Sequence, residues 1–146
     1  MRKIFWAGDS TVQTNDISTY PQTGIGQVFS LFVKEDVIVY NHAKNGRSTK
    51  SFISEGRLLS IDEVIGEGDF LFIQFGHNDE KEDELRHTDP YTTYQKYLNY
   101  YIQVAKTNNA TPVLLSSIYR RHFDELGNIK DNCHLNYPDA MKDLAN

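Results

Sequence analysis

Residues 4–10 read Ile4-Phe5-Trp6-Ala7-Gly8-Asp9-Ser10, an apolar run that ends abruptly at a glycine followed by two polar residues. An apolar run of this length bounded by turn-forming residues is typical of a strand buried on both faces of a parallel sheet. A similar run, Phe70 to Phe75, is followed directly by Gly76-His77-Asn78-Asp79. The two stretches predict an α/β fold whose strands end in polar turns.

Further apolar runs and helical patterns extend this outline along the chain. Strands are predicted at Val37–Tyr40 and Pro112–Ile118, and helices at Gly26–Val33, Leu58–Ile65, 90–108 and from Tyr137 to Asn146, with a small hairpin at Phe123–Ile129. Strands that alternate with helices predict a parallel sheet with helices on both faces. The 146 residues are expected to form a single domain.

Composition excludes several classes of protein. Fifteen Lys and Arg against twenty Asp and Glu give a net charge of -5, which argues against a nucleic-acid partner. The single cysteine, Cys133, cannot form an internal disulfide. No apolar run is long enough to cross a membrane, and Met1-Arg2-Lys3 leads straight into the first strand without a signal peptide. We therefore expect a cytoplasmic protein without a membrane partner.

The turns after the first three strands hold the candidate site residues, because ligands of such sheets bind beyond the carboxyl ends of the strands. Ser10 could act as a nucleophile, although a helix N-cap is the more common role for a serine in this position. Gly46 could expose its backbone N–H to a ligand or could simply form a turn. Asn78 could donate to an oxyanion or could stabilise an Asx turn.

Other features have simpler explanations. His77 could be a base, but it directly precedes Asn78, and adjacent residues usually point apart. The segment Asp79–Glu84 holds five acids and one lysine without calcium-site spacing, which favours a solvated loop over a metal site. The tyrosines of the 90–108 helix could stack on a sugar, but their spacing favours packing against the sheet.

Taken together, the turn motifs resemble those of the SGNH (GDSL-type) hydrolases, and more narrowly those of rhamnogalacturonan acetylesterases. The similarity runs along essentially the whole chain. It is carried by Gly8-Asp9-Ser10-Thr11-Val12, Pro21–Gln27, Asn41–Ser48, Phe75-Gly76-His77-Asn78-Asp79, Arg120–Asp124 and His134–Ala140.

The resemblance implies a three-layer α/β/α sandwich with a flavodoxin-like parallel sheet and a carbohydrate O-acetyl esterase that needs no cofactor or metal. Ser10 would attack the acetyl ester of a pectin-derived, rhamnogalacturonan-type fragment and form an acetyl-serine intermediate. The Ser10 and Gly46 backbone N–H groups and the Asn78 side chain would bind the oxyanion. Asp9 would shape the turn rather than transfer protons.

One element of the family is missing from this sequence. Family members continue through a further strand to an Asp-x-x-His segment, whose histidine is the general base, and nothing after Asn132 has that pattern. His134 matches an upstream part of the family and is not expected to replace the base. We therefore expect a truncated, partial SGNH domain over residues 1–146, with its sheet incomplete at the C-terminal side. An uncovered edge at the fourth strand would favour self-association or a complementing chain that carries the Asp/His segment.

Two alternatives remain open at this point. The chain could be a degenerate, non-catalytic carbohydrate-binding or assembly protein of the same fold. It could also be a flavodoxin-like nucleotide or phosphate binder that uses the turn at residues 8–11 as an anion site, although the charge of Asp9 opposes that role.

Overall fold

The computed structural model describes residues 1–131 and 133–146. Its centre is a parallel sheet of four strands in the order β2-β1-β3-β4. The strands are β1 (Arg2–Gly8), β2 (Val37–Asn41), β3 (Phe70–Gln74) and β4 (Thr111–Leu115). The predicted α/β class and parallel sheet are confirmed, and β4 lies at one edge of this sheet.

Helices flank both faces of the sheet. The α-helices are α1 (Ile25–Val28), α2 (Thr49–Ser54), α3 (Arg57–Asp62), α4 (Gln95–Thr107) and α5 (Tyr137–Ala145). Short 3-10 helices cover Ile17–Thr19 and Phe29–Phe32, and a π-helical turn over Pro90–Tyr94 leads into α4. The arrangement is the predicted three-layer α/β/α sandwich.

The period-two alternation of β1 divides the core between the two faces of the sheet. Ile4 and Trp6 point to the face covered by α1, where the Trp6 ring makes edge contacts with Phe29 and Phe72 at centroid distances of 5.3 and 5.0 Å. Phe5 and Ala7 point to the opposite face and join a larger core with residues of α2, α3, α4 and α5. Both faces of β1 are therefore buried, as its unbroken apolar run predicts.

Several element bounds differ from the sequence prediction. The helix expected over Gly26–Val33 is a short α-helix followed by a 3-10 helix. The strand predicted over Pro112–Ile118 ends at Leu115. Helix α2 was not predicted; it begins at a capping box in which Ser48 and Ser51 exchange side-chain and backbone hydrogen bonds. The predicted hairpin is reduced to one antiparallel bridge between Phe123 and Ile129.

Candidate active site

The turn after β1 is built by Asp9 and presents Ser10 to solvent. The buried Asp9 carboxylate accepts hydrogen bonds from the Thr11 backbone N–H (2.9 Å) and the Thr11 hydroxyl (2.7 Å). Its carbonyl accepts from the backbone N–H groups of Val12 and Gln13. Burial raises the pKa of Asp9. Asp9 therefore shapes the turn, as expected, and no helix begins at Ser10 to be capped.

The loop after β2 is hydrogen-bonded to the Ser10 turn. The backbone N–H of Lys44 donates to the Gly8 carbonyl at 3.0 Å, and that of Asn45 donates to the Gln13 side chain at 2.7 Å. Gly46 follows with a φ of +75°, a left-handed conformation that glycine adopts most easily. A Cβ built on Gly46 would meet no atom within 4 Å, so the glycine lies next to open space.

The turn after β3 is hydrogen-bonded to the loop that carries Gly46. Asn78 is buried, and its Nδ2 donates to the carbonyl of Arg47 at 3.1 Å. Its Oδ1 accepts from the Arg86 guanidinium at 3.4 Å. Hydrogen bonds thus link the three turns that hold Ser10, Gly46 and Asn78 into one continuous surface beyond the carboxyl ends of the strands. Their catalytic roles stay predictions.

Asp79 does not belong to the solvated loop predicted over residues 79–84. Its carboxylate is fully buried and accepts hydrogen bonds from the Thr49 backbone N–H and hydroxyl at the start of α2, and from the Thr88 hydroxyl. Burial raises the pKa of Asp79 to about 7 despite these bonds. The solvated-loop prediction is wrong at Asp79, which anchors a helix, and holds for the exposed Lys81–Glu84.

Two histidines near the turn after β3, His77 and His134, contact an ion pair between Arg120 and Glu80. His134 is buried, with Nε2 2.7 Å from the Ile118 carbonyl and Nδ1 3.4 Å from the Glu80 carboxylate. Both ring nitrogens are thus engaged, which agrees with the expectation that His134 is not the base.

The second histidine, His77, is kept uncharged by its surroundings. Arg120 Nε donates to His77 Nδ1 at 3.2 Å, so the ring proton lies on Nε2. Burial, with the neighbouring His134 and Arg120 charges, lowers the pKa of His77 to about 4. Its Nδ1 therefore has no lone pair to offer to a serine.

Two tyrosines of the 90–108 segment, Tyr94 and Tyr101, pack beneath the site as predicted, whereas Tyr91 and Tyr100 are exposed. Tyr94 and Tyr101 are almost fully buried, and their hydroxyls donate to the carbonyls of Phe75 (3.0 Å) and Thr49 (2.8 Å). These two bonds support the backbone that leads into the Asn78 turn and into helix α2.

A groove of about 400 Å³ opens beside Gly46. Sequence reasoning singled out Gly46 but not the charged side chains that line the groove with it. The lining consists of Gly46, Arg47, Ser51, Glu55, Asp83, Leu85 and Arg86. The guanidinium of Arg47 pairs with Glu55 and that of Arg86 with Asp83, so the walls present both donors and acceptors.

Two proteins of Bacillus subtilis are similar in sequence to nearly the whole of this chain. The chain is 49% identical over 143 residues to rhamnogalacturonan acetylesterase RhgT of Bacillus subtilis, and 45% identical over 146 residues to the probable rhamnogalacturonan acetylesterase YesY of the same organism. The chain is a homologue of rhamnogalacturonan acetylesterases. The resemblance predicted from the turn motifs is thereby confirmed. No protein-family model matches the chain.

Solved structures agree on the fold. The chain superimposes on protein YXIM of Bacillus subtilis with a TM-score of 0.82 at 26% identity, covering 99% of this chain and 40% of that one. It matches an acetyl-xylooligosaccharide esterase of Geobacillus stearothermophilus, Axe2, with a TM-score of 0.66 at 15% identity, covering 98% and 71%. The sandwich is thus a fold that this chain shares with an esterase of known structure.

The matches cover most of this chain but only part of its relatives. The similar region takes in 98% of the chain and 60% of RhgT, and 97% of the chain and 64% of YesY. Within residues 1–131 and 133–146, no group of three or more His, Cys, Asp or Glu side chains could hold a metal ion. No helix in that part of the chain is long and apolar enough to cross a membrane.

Proposed function

We propose that residues 1–146 form a single, partial SGNH domain that contributes the nucleophile and oxyanion hole of a carbohydrate O-acetyl esterase. The observation that carries this proposal is the 49% identity to RhgT along 98% of the chain. The substrate class, acetylated rhamnogalacturonan fragments, is proposed from the names of RhgT and YesY. A polar groove beside Gly46 suits a ligand rich in hydroxyl groups. The cytoplasmic location stays a prediction.

In the proposed reaction, the Ser10 hydroxyl oxygen attacks the acetyl carbonyl carbon, and the hydroxyl proton passes to a general base. The carbonyl electron pair moves to oxygen, and the resulting oxyanion accepts hydrogen bonds from the backbone N–H groups of Ser10 and Gly46 and from Asn78 Nδ2. The tetrahedral centre then collapses, the sugar oxygen leaves with the proton, and water hydrolyses the acetyl-Ser10 ester. Each oxyanion donor typically contributes about 10²–10³ in rate.

The general base is proposed to come from a segment with the Asp-x-x-His pattern that lies outside the 146 residues. The hydrogen bond from Arg120 to His77 Nδ1 and the contacts at both ring nitrogens of His134 support this division of the site. The edge strand β4 offers a place for such a segment to pair. Beside it lies an apolar recess of about 300 Å³ lined by Ile102, Pro112, Leu114 and Leu144, with Lys106 and Ala145. We refer to a polypeptide that supplies this segment as the complementing polypeptide.

Acetate release from acetylated rhamnogalacturonan oligosaccharides tests the proposal. The chain mixed with the complementing polypeptide should release acetate faster than the chain alone, and Ser10→Ala should abolish the increase. A fluorophosphonate should add to Ser10 in the wild type, as read by mass spectrometry of the peptide. Ser30→Ala, which removes another exposed serine, should leave both results unchanged.

A folded wild-type chain that gains no activity in a verified complex and forms no Ser10 adduct would contradict the esterase proposal. That result would instead support a non-catalytic protein of the same fold. Self-association through β4 would appear as a dimer in the native mass of the chain alone.

A further inference from the structure

The side-chain amide of Asn78 has a different polar neighbour on each of its two ends. Its Nδ2 faces the backbone carbonyl of Arg47 at 3.1 Å, and its Oδ1 faces Nη1 of Arg86 at 3.4 Å. Rotating the amide by half a turn would set its NH₂ group against the guanidinium and its oxygen against the carbonyl. Both neighbours therefore favour one orientation.

That orientation determines what Asn78 can offer to a ligand. An NH₂ group carries two hydrogens, and the Arg47 carbonyl takes one of them. The second hydrogen stays available for an oxyanion. The Arg86 charge on Oδ1 also draws electrons from the amide, which makes the remaining N–H a stronger donor.

Arg86 is itself fixed by the acidic segment. Its Nε donates to Asp83 Oδ2 at 2.7 Å, and its Nη2 lies 2.6 Å from the same oxygen. The Arg86 backbone N–H donates to Asp83 Oδ1 at 3.1 Å. Hydrogen bonding from the guanidinium lowers the pKa of Asp83. Because Asp83 holds two of the guanidinium nitrogens, the third, Nη1, is directed at Asn78.

We propose that Arg86, held by Asp83, is a positioning residue that orients and polarises the Asn78 carboxamide as an oxyanion donor. This inference rests on the proposed function for the role of Asn78 in the reaction. Under this proposal, Asp83 in the charged segment after β3 has a role that composition alone does not predict, because it fixes Arg86. Arg86 also lines the groove, so a direct contact with the substrate would change KM, whereas its action through Asn78 would change kcat.

Steady-state kinetics with the complementing polypeptide test the catalytic part of the inference. Arg86→Gln should lower kcat about tenfold with little change in KM, since removal of the donor itself costs about 10²–10³ and only in the transition state. Arg86→Lys should restore part of the loss. Arg57→Gln is the matched control, because Arg57 is similarly exposed (33% against 35%) and also pairs with a carboxylate, Glu55.

A double-mutant cycle separates positioning from a general structural effect. In an Asn78→Ala background, Arg86→Gln should cause no further loss of kcat, because the group that Arg86 orients is gone. Losses that multiply in the double variant would overturn the inference. Equal kcat for the wild type and Arg86→Gln would overturn it as well.

Nuclear magnetic resonance gives a test that does not depend on activity. The Asn78 side-chain NH₂ signals, assigned by their loss in Asn78→Asp, should shift in Arg86→Gln and stay in place in Arg57→Gln. Unmoved signals in Arg86→Gln would refute the positioning contact. If the wild type has no esterase activity while these signals shift, the proposed function fails and the contact between Arg86 and Asn78 stands.

Discussion

Gly46 and Gly56 have nearly the same backbone conformation but lie in different places, which makes them a matched pair for mutation. Their φ angles are +75° and +76°, and a Cβ built on either would meet no atom within 4 Å. An alanine at either position should lower stability only through the left-handed backbone conformation, which costs about 1 kcal/mol. Both variants should therefore lose about 1 kcal/mol in the free energy of unfolding, or about 4 °C in Tm.

Their effects on the reaction should differ. Gly46 lines the groove, whereas Gly56 precedes α3 and does not line it. The methyl group of Gly46→Ala would occupy the open space through which, in the proposed reaction, the acyl group approaches the Gly46 backbone N–H. A displacement of about 1 Å from a reactive position costs about 10²-fold. We expect Gly46→Ala to lower kcat/KM by that order and Gly56→Ala to leave it unchanged.

Urea denaturation followed by circular dichroism measures the stability of both variants, and acetate release with the complementing polypeptide measures activity. Wild-type activity in Gly46→Ala would refute the argument that the acyl group approaches through the open space beside Gly46. A difference of more than about 1 kcal/mol between the two unfolding free energies would refute the argument that both positions carry the same backbone penalty.

Three further predictions concern stability. Gly76→Ala, at φ +149°, should lower the free energy of unfolding by about 3 kcal/mol or more, because the backbone conformation alone costs about 1–3 kcal/mol and the new Cβ would also meet Ser117 Oγ. Adding Ser117→Ala should recover the steric part in urea denaturation. The pKa of Asp79 is about 7 in the folded chain, above its ordinary 3.8, so its contribution to the free energy of unfolding should be full below pH 4 and should fall as pH rises to 7. Asp79→Asn should flatten this pH dependence in melting curves recorded across the pH range. A variant with the same pH dependence as the wild type would contradict the prediction. Tyr101→Phe should cost about 1 kcal/mol through its lost bond to Thr49, and wild-type stability in that variant would contradict this value.

The sheet could be predicted from the sequence because its central strands are buried on both faces. A run such as Phe70–Gln74 has no polar residue before its end, so it can be recognised as a buried strand from its own residues alone. The position of the turns followed from the ends of these runs. The order of the strands did not follow from these runs, but the flavodoxin-like sheet implied by the resemblance gives it, and the observed order β2-β1-β3-β4 agrees.

Helix α2 and the role of Asp79 could not be predicted because they depend on each other. The helix is only six residues long and lacks a strong apolar period, and its first N–H is satisfied by a carboxylate 30 residues away. Within residues 79–84, the buried Asp79 and the largely buried side chain of Glu80 cannot be told from the exposed acids by composition. The role of Arg86 could not be predicted for the same reason, because it depends on a contact with the Asn78 side chain that the sequence does not show.

The edge contacts of Trp6 with Phe29 and Phe72 have a practical consequence for studying this chain. Trp6 is the single tryptophan of the sequence and is fully buried, two residues before the end of β1. Its indole emission therefore comes from one known place, a buried aromatic cluster on the strand that leads into the Ser10 turn. A red shift of that emission would report water entering this layer, so ultraviolet fluorescence can follow the integrity of the central strand without any added dye.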